Sequence, residues 1–118
     1  MKLGFNEAND RFCANHSVMM DLELCEKYGF DCIDIQSECL NRDLEAGKIT
    51  LEEMGAWLQS HHLKMLTYNA LCFFNMKQTQ EEKDAVMAEL DEIIRRCNIL
   101  GCKMIVVVPS KDMKERGL

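Results

Sequence analysis

The chain has 118 residues, an apolar fraction of 47% and a formal net charge of -6, from 20 acidic and 14 basic side chains. This length suits one ordinary globular core, and the apolar fraction is typical of a folded chain. The acidic balance and the lack of a lysine and arginine cluster exclude the electrostatic signature of nucleic-acid binding. No apolar stretch approaches the roughly 20 residues that span a bilayer, and the amino terminus lacks a signal-peptide pattern, so we expect a cytoplasmic protein without a membrane partner.

The 7 cysteines are an odd number, and none of them forms a C-x-x-C pair. This disfavours both a disulfide framework and a structural zinc site. Cys13 and His16 have the spacing of two metal ligands, but a zinc site needs a second such pair, and the sequence has none. We therefore expect a reducing compartment and no metal ligands in this chain.

The first strand is expected at residues 3–7, where a short apolar run leads into polar residues. A helix follows at 17–28, because Ser17 suits an N-cap and Gly29 suits the end of a helix. Between them, the connection has none of the glycines of a nucleotide-binding loop, which disfavours nucleotide binding.

The second strand is expected at 30–35, where apolar residues alternate with aspartates. The polar segment 36–48 is expected to be a loop with at most a short helical turn. Thr50 and Glu53 form a capping-box pattern at the start of a second helix at 51–61.

The third strand is expected at 63–69, and an unusually apolar loop follows it. The third helix, at 80–100, is the most regular of the chain, and Gly101 marks its end. The fourth strand, at 103–108, is a buried apolar run, and only a short polar tail follows it.

Alternation of strands and helices predicts an α/β fold with parallel strands and right-handed crossovers. We expect one partial domain over residues 1–118, with four βα units. In a (β/α)8 barrel, the parallel strands of these units would lie in the order 1-2-3-4. A doubly wound sheet is the alternative, and it would reverse the strand order at a switch point.

In a barrel, chemistry takes place at the carboxyl ends of the strands. Asn6 and Glu7 end the first strand, so one side chain should face the barrel mouth and the other the helices. Asn69 ends the third strand, and Phe73 and Phe74 follow it with rings that suit the apolar face of a sugar or cyclitol. These five residues are the candidate substrate-binding set; Gln36, Ser37, Pro109 and Ser110 are further polar or strand-end positions.

Other chemistry-bearing residues have simpler structural interpretations. Asp31 lies at the amino end of its strand, which is the stability face of a barrel, and Asp34 forms no convergent carboxylate pair with it. His16 precedes a helix and suits a loop or capping role. No residue of the chain is assigned a catalytic role.

Three segments, LGFNEA at Leu3–Ala8, DLELCEK at Asp21–Lys27 and NALCFFN at Asn69–Asn75, resemble the xylose-isomerase-like TIM-barrel superfamily of sugar phosphate isomerases and epimerases. The similarity runs in order from Met1 to about Pro109. Val106–Pro109 looks like the fourth strand of that family.

The resemblance implies a metal-dependent isomerase of keto-sugars or keto-inositols, in which two Glu, an Asp and a His of strands five to eight hold a divalent metal. These ligands have no counterpart here. The resemblance therefore implies the N-terminal half of a (β/α)8 barrel, with the strand order 1-2-3-4, which is inactive alone and binds no metal alone. Its expected partners are a sugar or cyclitol and either the missing C-terminal half or a second copy through the exposed first and fourth strands. The alternative is a polyol-binding or regulatory α/β domain without catalysis.

Overall fold

The computed structural model describes residues 1–109, so Ser110 lies outside the described residues. The strands are β1 (Gly4–Asn6), β2 (Cys32–Gln36), β3 (Lys64–Cys72) and β4 (Met104–Val108). The α-helices are α1 (Val18–Lys27), α2 (Ser37–Glu45), α3 (Leu51–Ser60) and α4 (Gln80–Leu100), and short 3-10 helices lie at Glu7–Asn9 and Phe74–Met76. No helix in this part of the chain is long and apolar enough to cross a membrane.

The four strands form one parallel sheet in the order β1-β2-β3-β4. This consecutive order is that of a barrel segment and confirms the predicted fold class. The alternative of a doubly wound sheet is wrong, because no strand order reverses between β1 and β4.

Local capping explains where the helices begin and end. The Ser17 hydroxyl accepts a hydrogen bond from Met20 N at the start of α1. Thr50 and Glu53 make a complete capping box at α3. Gly101 ends α4 with a φ of +71°, a left-handed conformation that favours glycine.

The segment 36–48, expected to be a loop, instead contains the helix α2 at Ser37–Glu45. Its buried residues are Cys39, Leu40 and Asp43, so one of the three carries a carboxylate. Asp43 can be buried because its Oδ2 accepts a hydrogen bond of 2.8 Å from Val18 N, at the start of α1. Because this partner lies 25 residues away in sequence, the local polar pattern did not indicate a helix.

The core lies between the sheet and its helices. Ile33 and Ile35 of β2 are fully buried and belong to the same apolar cluster as Leu22, Leu40 and Met54 of the surrounding helices. We call this side of the sheet the helix-facing side, and the opposite side, which would line the interior of a complete barrel, the concave side.

Candidate functional site

Four polar side chains meet near the carboxyl ends of β1, β2 and β3, on the concave side. Strand register pairs Asn6 with Asp34 and Gln36 with Asn69. Asn69 Nδ2 donates to Asp34 Oδ2 at 3.2 Å, and Gln36 Nε2 donates to Asn6 Oδ1 at 3.4 Å. We call Asn6, Asp34, Gln36 and Asn69 the strand-end cluster.

Asp34 has spare hydrogen-bonding capacity within this cluster. Its Oδ1 is buried and has no hydrogen-bond partner among the described residues, and the same holds for Thr67 Oγ1 on the neighbouring strand. Asp34 and Thr67 face each other in the β2–β3 register. A carboxylate oxygen that accepts and a hydroxyl that can donate or accept are the groups that bind a polyol hydroxyl.

Asp34 was not expected in the site, and Gln36 was named as a strand-end position but was not placed in the candidate substrate-binding set. Their spacing of two residues in a strand was the available signal, because alternate residues share a face. Arg11 was missed as well: it lies in the connection after β1, and its Nη1 is 3.5 Å from Gln36 Oε1 and 3.4 Å from Glu38 Oε1. It places a positive charge beside the strand-end cluster.

Glu7 points away from its neighbour Asn6, towards the helices. Its side chain is fully buried, and its Oε1 accepts a hydrogen bond of 2.9 Å from Gln36 N. Burial, with a smaller contribution from the Asp21 carboxylate, raises the pKa of Glu7 to about 9. Of the two polar residues at the end of β1, the structure therefore places Asn6 on the concave side and Glu7 on the helix-facing side.

Phe73 and Phe74 follow β3 and are about two-fifths exposed, at 42% and 39%. The Phe73 N–H donates to Val108 O at 2.7 Å, which fixes the start of this loop to the end of β4. The two residues therefore lie just beyond the carboxyl end of β3, while Asn69 lies within that strand.

A second group of polar residues is enclosed between β1, α1 and α2. His16 Nε2 lies 2.6 Å from Asp21 Oδ2, and Arg42 Nη2 lies 2.6 Å from His16 Nδ1. The Asp10 carboxylate and Glu7 complete this group, with one oxygen each at 3.6 Å from His16 Nε2. We call Glu7, Asp10, His16, Asp21 and Arg42 the His16 network.

Burial raises the pKa of Asp10 to about 6, and Asp21 beside it raises the pKa as well. The network was missed because its members come from four segments and show no common spacing. By contrast Asp31, which directly precedes β2, makes structural contacts as expected for the amino end of a strand: its Oδ2 accepts a hydrogen bond from Leu3 N at 2.8 Å, and its Oδ1 lies 2.7 Å from His62 Nε2.

The sheet order and the strand-end polar groups define a segment of a parallel (β/α) barrel. A family model described as xylose isomerase-like TIM barrel matches residues 22–117, and the chain belongs to this family.

Within this family, the chain is similar to inosose isomerases. It is 36% identical over 110 residues to the inosose isomerase of Bacillus velezensis, covering 92% of this chain and 38% of the relative. It is 37% identical over 131 residues to that of Bacillus licheniformis, covering 98% of this chain and 41% of the relative. The chain thus spans about two-fifths of the length of these relatives.

A solved structure of the IOLI protein with a bound zinc atom matches 98% of this chain and 41% of that chain, with 37% identity and a TM-score of 0.80. The strand-end cluster of the present chain contains one carboxylate, that of Asp34, and no imidazole or thiol group. This donor set does not fit a zinc ion, which binds to several nitrogen, sulfur or carboxylate ligands.

Proposed function

We propose that this chain forms the N-terminal half of a metal-dependent isomerase of keto-inositols or related keto-sugars, and that it supplies part of the wall of the substrate pocket. The observation that carries the proposal is the 37% identity to an inosose isomerase over 98% of the chain. Fold similarity alone would not indicate a substrate, because TIM barrels host many reactions.

The strand-end cluster would hold the ring hydroxyls of the substrate. Asp34 Oδ1, which has no partner among the described residues, would accept a hydrogen bond from one hydroxyl, while Asn69 keeps Asp34 Oδ2 in place. Asn6 would bind a second hydroxyl, and Phe73 and Phe74 would cover the apolar face of the ring. Glu7 would act indirectly, because its hydrogen bond to Gln36 N fixes the ends of β1 and β2 relative to each other.

Carbonyl migration requires removal of a proton next to the carbonyl group and stabilisation of the resulting enediolate. A divalent metal would supply that electrostatic stabilisation when bound in the complete barrel. The strand-end cluster lacks a ligand set for it, so the role of the present residues is to bind and orient the substrate. We therefore propose that the chain has no turnover alone and that its partner is a C-terminal half-barrel.

The test is reconstitution of a complete barrel. The 118-residue chain is co-expressed with the C-terminal segment of the Bacillus licheniformis inosose isomerase that follows its matched region. We expect a 1:1 complex that interconverts keto-inositols when a divalent metal is added, and no turnover by either part alone. A 1:1 complex without turnover would contradict the proposed reaction.

The variant Asp34→Asn tests the pocket wall in the same complex. We expect KM to rise at least tenfold, because an amide in place of the carboxylate weakens the hydrogen bond from a hydroxyl. The matched control is Asp91→Asn, on an exposed position of α4, which should leave KM unchanged. Equal KM values for both variants would exclude Asp34 from substrate binding.

A second candidate function is polyol binding without catalysis. The observation that favours it is that the strand-end cluster offers hydrogen-bonding groups for a polyol but no set of metal ligands. Saturation-transfer NMR with myo-inositol on the isolated chain distinguishes the two proposals. Binding by the isolated chain, together with an inactive reconstituted complex, would favour this second function.

A further inference from the structure

The His16 network has the composition of a cation site on the helix-facing side of the sheet. Asp10, His16 and Asp21 each present one ligand atom, and these three atoms lie within 4.8 Å of one another. Imidazole nitrogen and carboxylate oxygen are the ligands that divalent zinc and manganese accept in proteins. The three residues come from the β1–α1 connection and from α1 itself, so one short stretch of chain builds the whole set.

An independent observation is that two buried carboxyl oxygens beside His16 lack a hydrogen-bond donor among the described residues. Glu7 is fully buried, and its Oε2 has no hydrogen-bond partner among the described residues. This oxygen lies 3.6 Å from His16 Nε2, so it faces the same point as the three ligand atoms. Asp10 Oδ1 lies at the same distance from that nitrogen and also lacks a described partner. Buried carboxylate oxygens without donors are costly unless a proton or a cation meets them.

The neighbouring carboxylate Asp43 does not share this property. Its Oδ2 accepts from Val18 N at 2.8 Å, and its Oδ1 lies 3.3 Å from Arg42 Nε. Asp43 is therefore satisfied and is not a candidate ligand. Within the His16 network, the buried oxygens without a hydrogen-bond partner among the described residues are Glu7 Oε2 and Asp10 Oδ1, and both lie 3.6 Å from His16 Nε2.

We propose that Asp10, His16 and Asp21 bind a divalent first-row metal ion such as Zn²⁺ or Mn²⁺, with the buried carboxyl group of Glu7 beside it. The ion would satisfy the oxygens of Glu7 and Asp10 and would fasten the β1–α1 connection to α1. This proposal concerns the chain itself and is independent of the proposed isomerase function.

Arg42 competes with the metal for His16. An arginine can only donate, so Arg42 Nη2 at 2.6 Å requires an unprotonated His16 Nδ1, which leaves the hydrogen on Nε2. Metal binding through Nε2 requires the opposite tautomer, in which Nδ1 carries the hydrogen and Arg42 has moved away. The Arg42 side chain is 45% exposed, so it can turn towards solvent. Removal of Arg42 should therefore strengthen metal binding.

The test is a titration of the full chain, first freed of metal with a chelator, with ZnCl₂ or MnCl₂ in a calorimeter. We expect one ion per chain. Asp10→Asn and His16→Gln should each weaken binding at least tenfold, whereas Arg42→Met should strengthen it severalfold. The matched control is the double variant Asp31→Asn/His62→Gln, which removes a second aspartate–histidine pair of similar distance, 2.7 Å, and should leave affinity unchanged.

Absence of a bound ion in the wild-type chain would overturn the proposal, as would equal losses in the Asp31/His62 control. Circular dichroism checks that the Asp10→Asn variant folds. The Asp10 carboxylate is partly exposed, so this substitution disturbs the core less than Asp21→Asn would.

Co²⁺ absorption tests the ligand identities, because Cys39 Sγ lies in an alternative group with Glu7 and His16. A sulfur-to-cobalt charge-transfer band would overturn the assigned ligands, while its absence with a bound ion supports them.

Discussion

The two sides of the sheet differ in how well the described residues bury them. On the helix-facing side, Ile33 and Ile35 are fully buried, and even the carboxylate of Glu7 is enclosed. On the concave side, Leu66 and Met104 remain 47% and 48% exposed. The chain thus forms one packed interface between sheet and helices, and it leaves open the surface that lines the interior of a complete barrel. Stability should therefore depend on the helix-facing side, and ligand binding should depend on the concave side.

The largest expected effect is the pH dependence of stability that the buried Glu7 causes on the helix-facing side. The pKa of Glu7 rises from 4.5 to about 9 on folding, so between these values the folded chain keeps a proton that the unfolded chain releases. Stability should therefore fall as pH rises across this interval. Glu7→Gln mimics the protonated side chain and should remove this part of the pH dependence.

Urea unfolding midpoints at pH 5, 7 and 9, measured with a chelator present, check this prediction. The matched control is Glu45→Gln, at an exposed position of α2, which should unfold with the wild-type pH profile. If the wild type and Glu7→Gln lose stability equally between pH 5 and 9, then folding does not raise the pKa of Glu7, which would contradict this prediction.

Ile35→Ala tests the packed side of the sheet. It removes most of a fully buried side chain from the core and should lower the free energy of unfolding by about 2–5 kcal/mol. Leu66→Ala, on the concave side, should cost less than about 1 kcal/mol, because its side chain is already half exposed. Similar losses in urea unfolding would contradict the difference between the two sides.

Gly55→Ala tests the contact between α3 and α4. A Cβ at residue 55 would lie 2.6 Å from the Ile99 carbonyl oxygen, so the helices would have to move apart. Such overpacking costs about 1–3 kcal/mol. The control Gln59→Ala changes an exposed position of the same helix, and its unfolding midpoint should stay near that of the wild type. A Gly55→Ala chain more stable than the wild type would show that the helices are not in close contact here.

Asn69→Ala should have the smallest effect on stability, about 1 kcal/mol or less, because it removes one hydrogen bond of 3.2 Å on the concave side. It should nevertheless weaken cyclitol binding, because Asp34 loses the donor that orients it. Saturation-transfer NMR with myo-inositol measures this loss, and Gln59→Ala again serves as the control. Unchanged binding in Asn69→Ala would remove Asn69 from the proposed pocket.

The repeated strand–helix pattern and the capping residues made the fold class predictable from sequence. Thr50 and Glu53, for example, form the capping box that their spacing indicated. The helix α2 was not predictable in this way, because the partner of its buried Asp43 is a backbone N–H of α1. Local patterns report local hydrogen bonds, and they do not report bonds between distant segments.

The candidate site shows the same limit. Asn6 and Asn69 could be proposed because a strand end is visible in the sequence, whereas Asp34 required the register that pairs it with Asn6 and Thr67. The contact between His16 and Arg42 joins residues 26 positions apart, and nothing in the spacing of either residue indicates it.

The most direct test of the central claim, that the concave side and the edge strands complete a barrel with a second half, is hydrogen–deuterium exchange. The chain is measured alone and with the C-terminal segment of the Bacillus licheniformis inosose isomerase. We predict new protection at Gly4–Asn6 and Met104–Val108, the two edge strands, with little change in α3. Unchanged exchange at both edge strands in a verified complex would contradict the account.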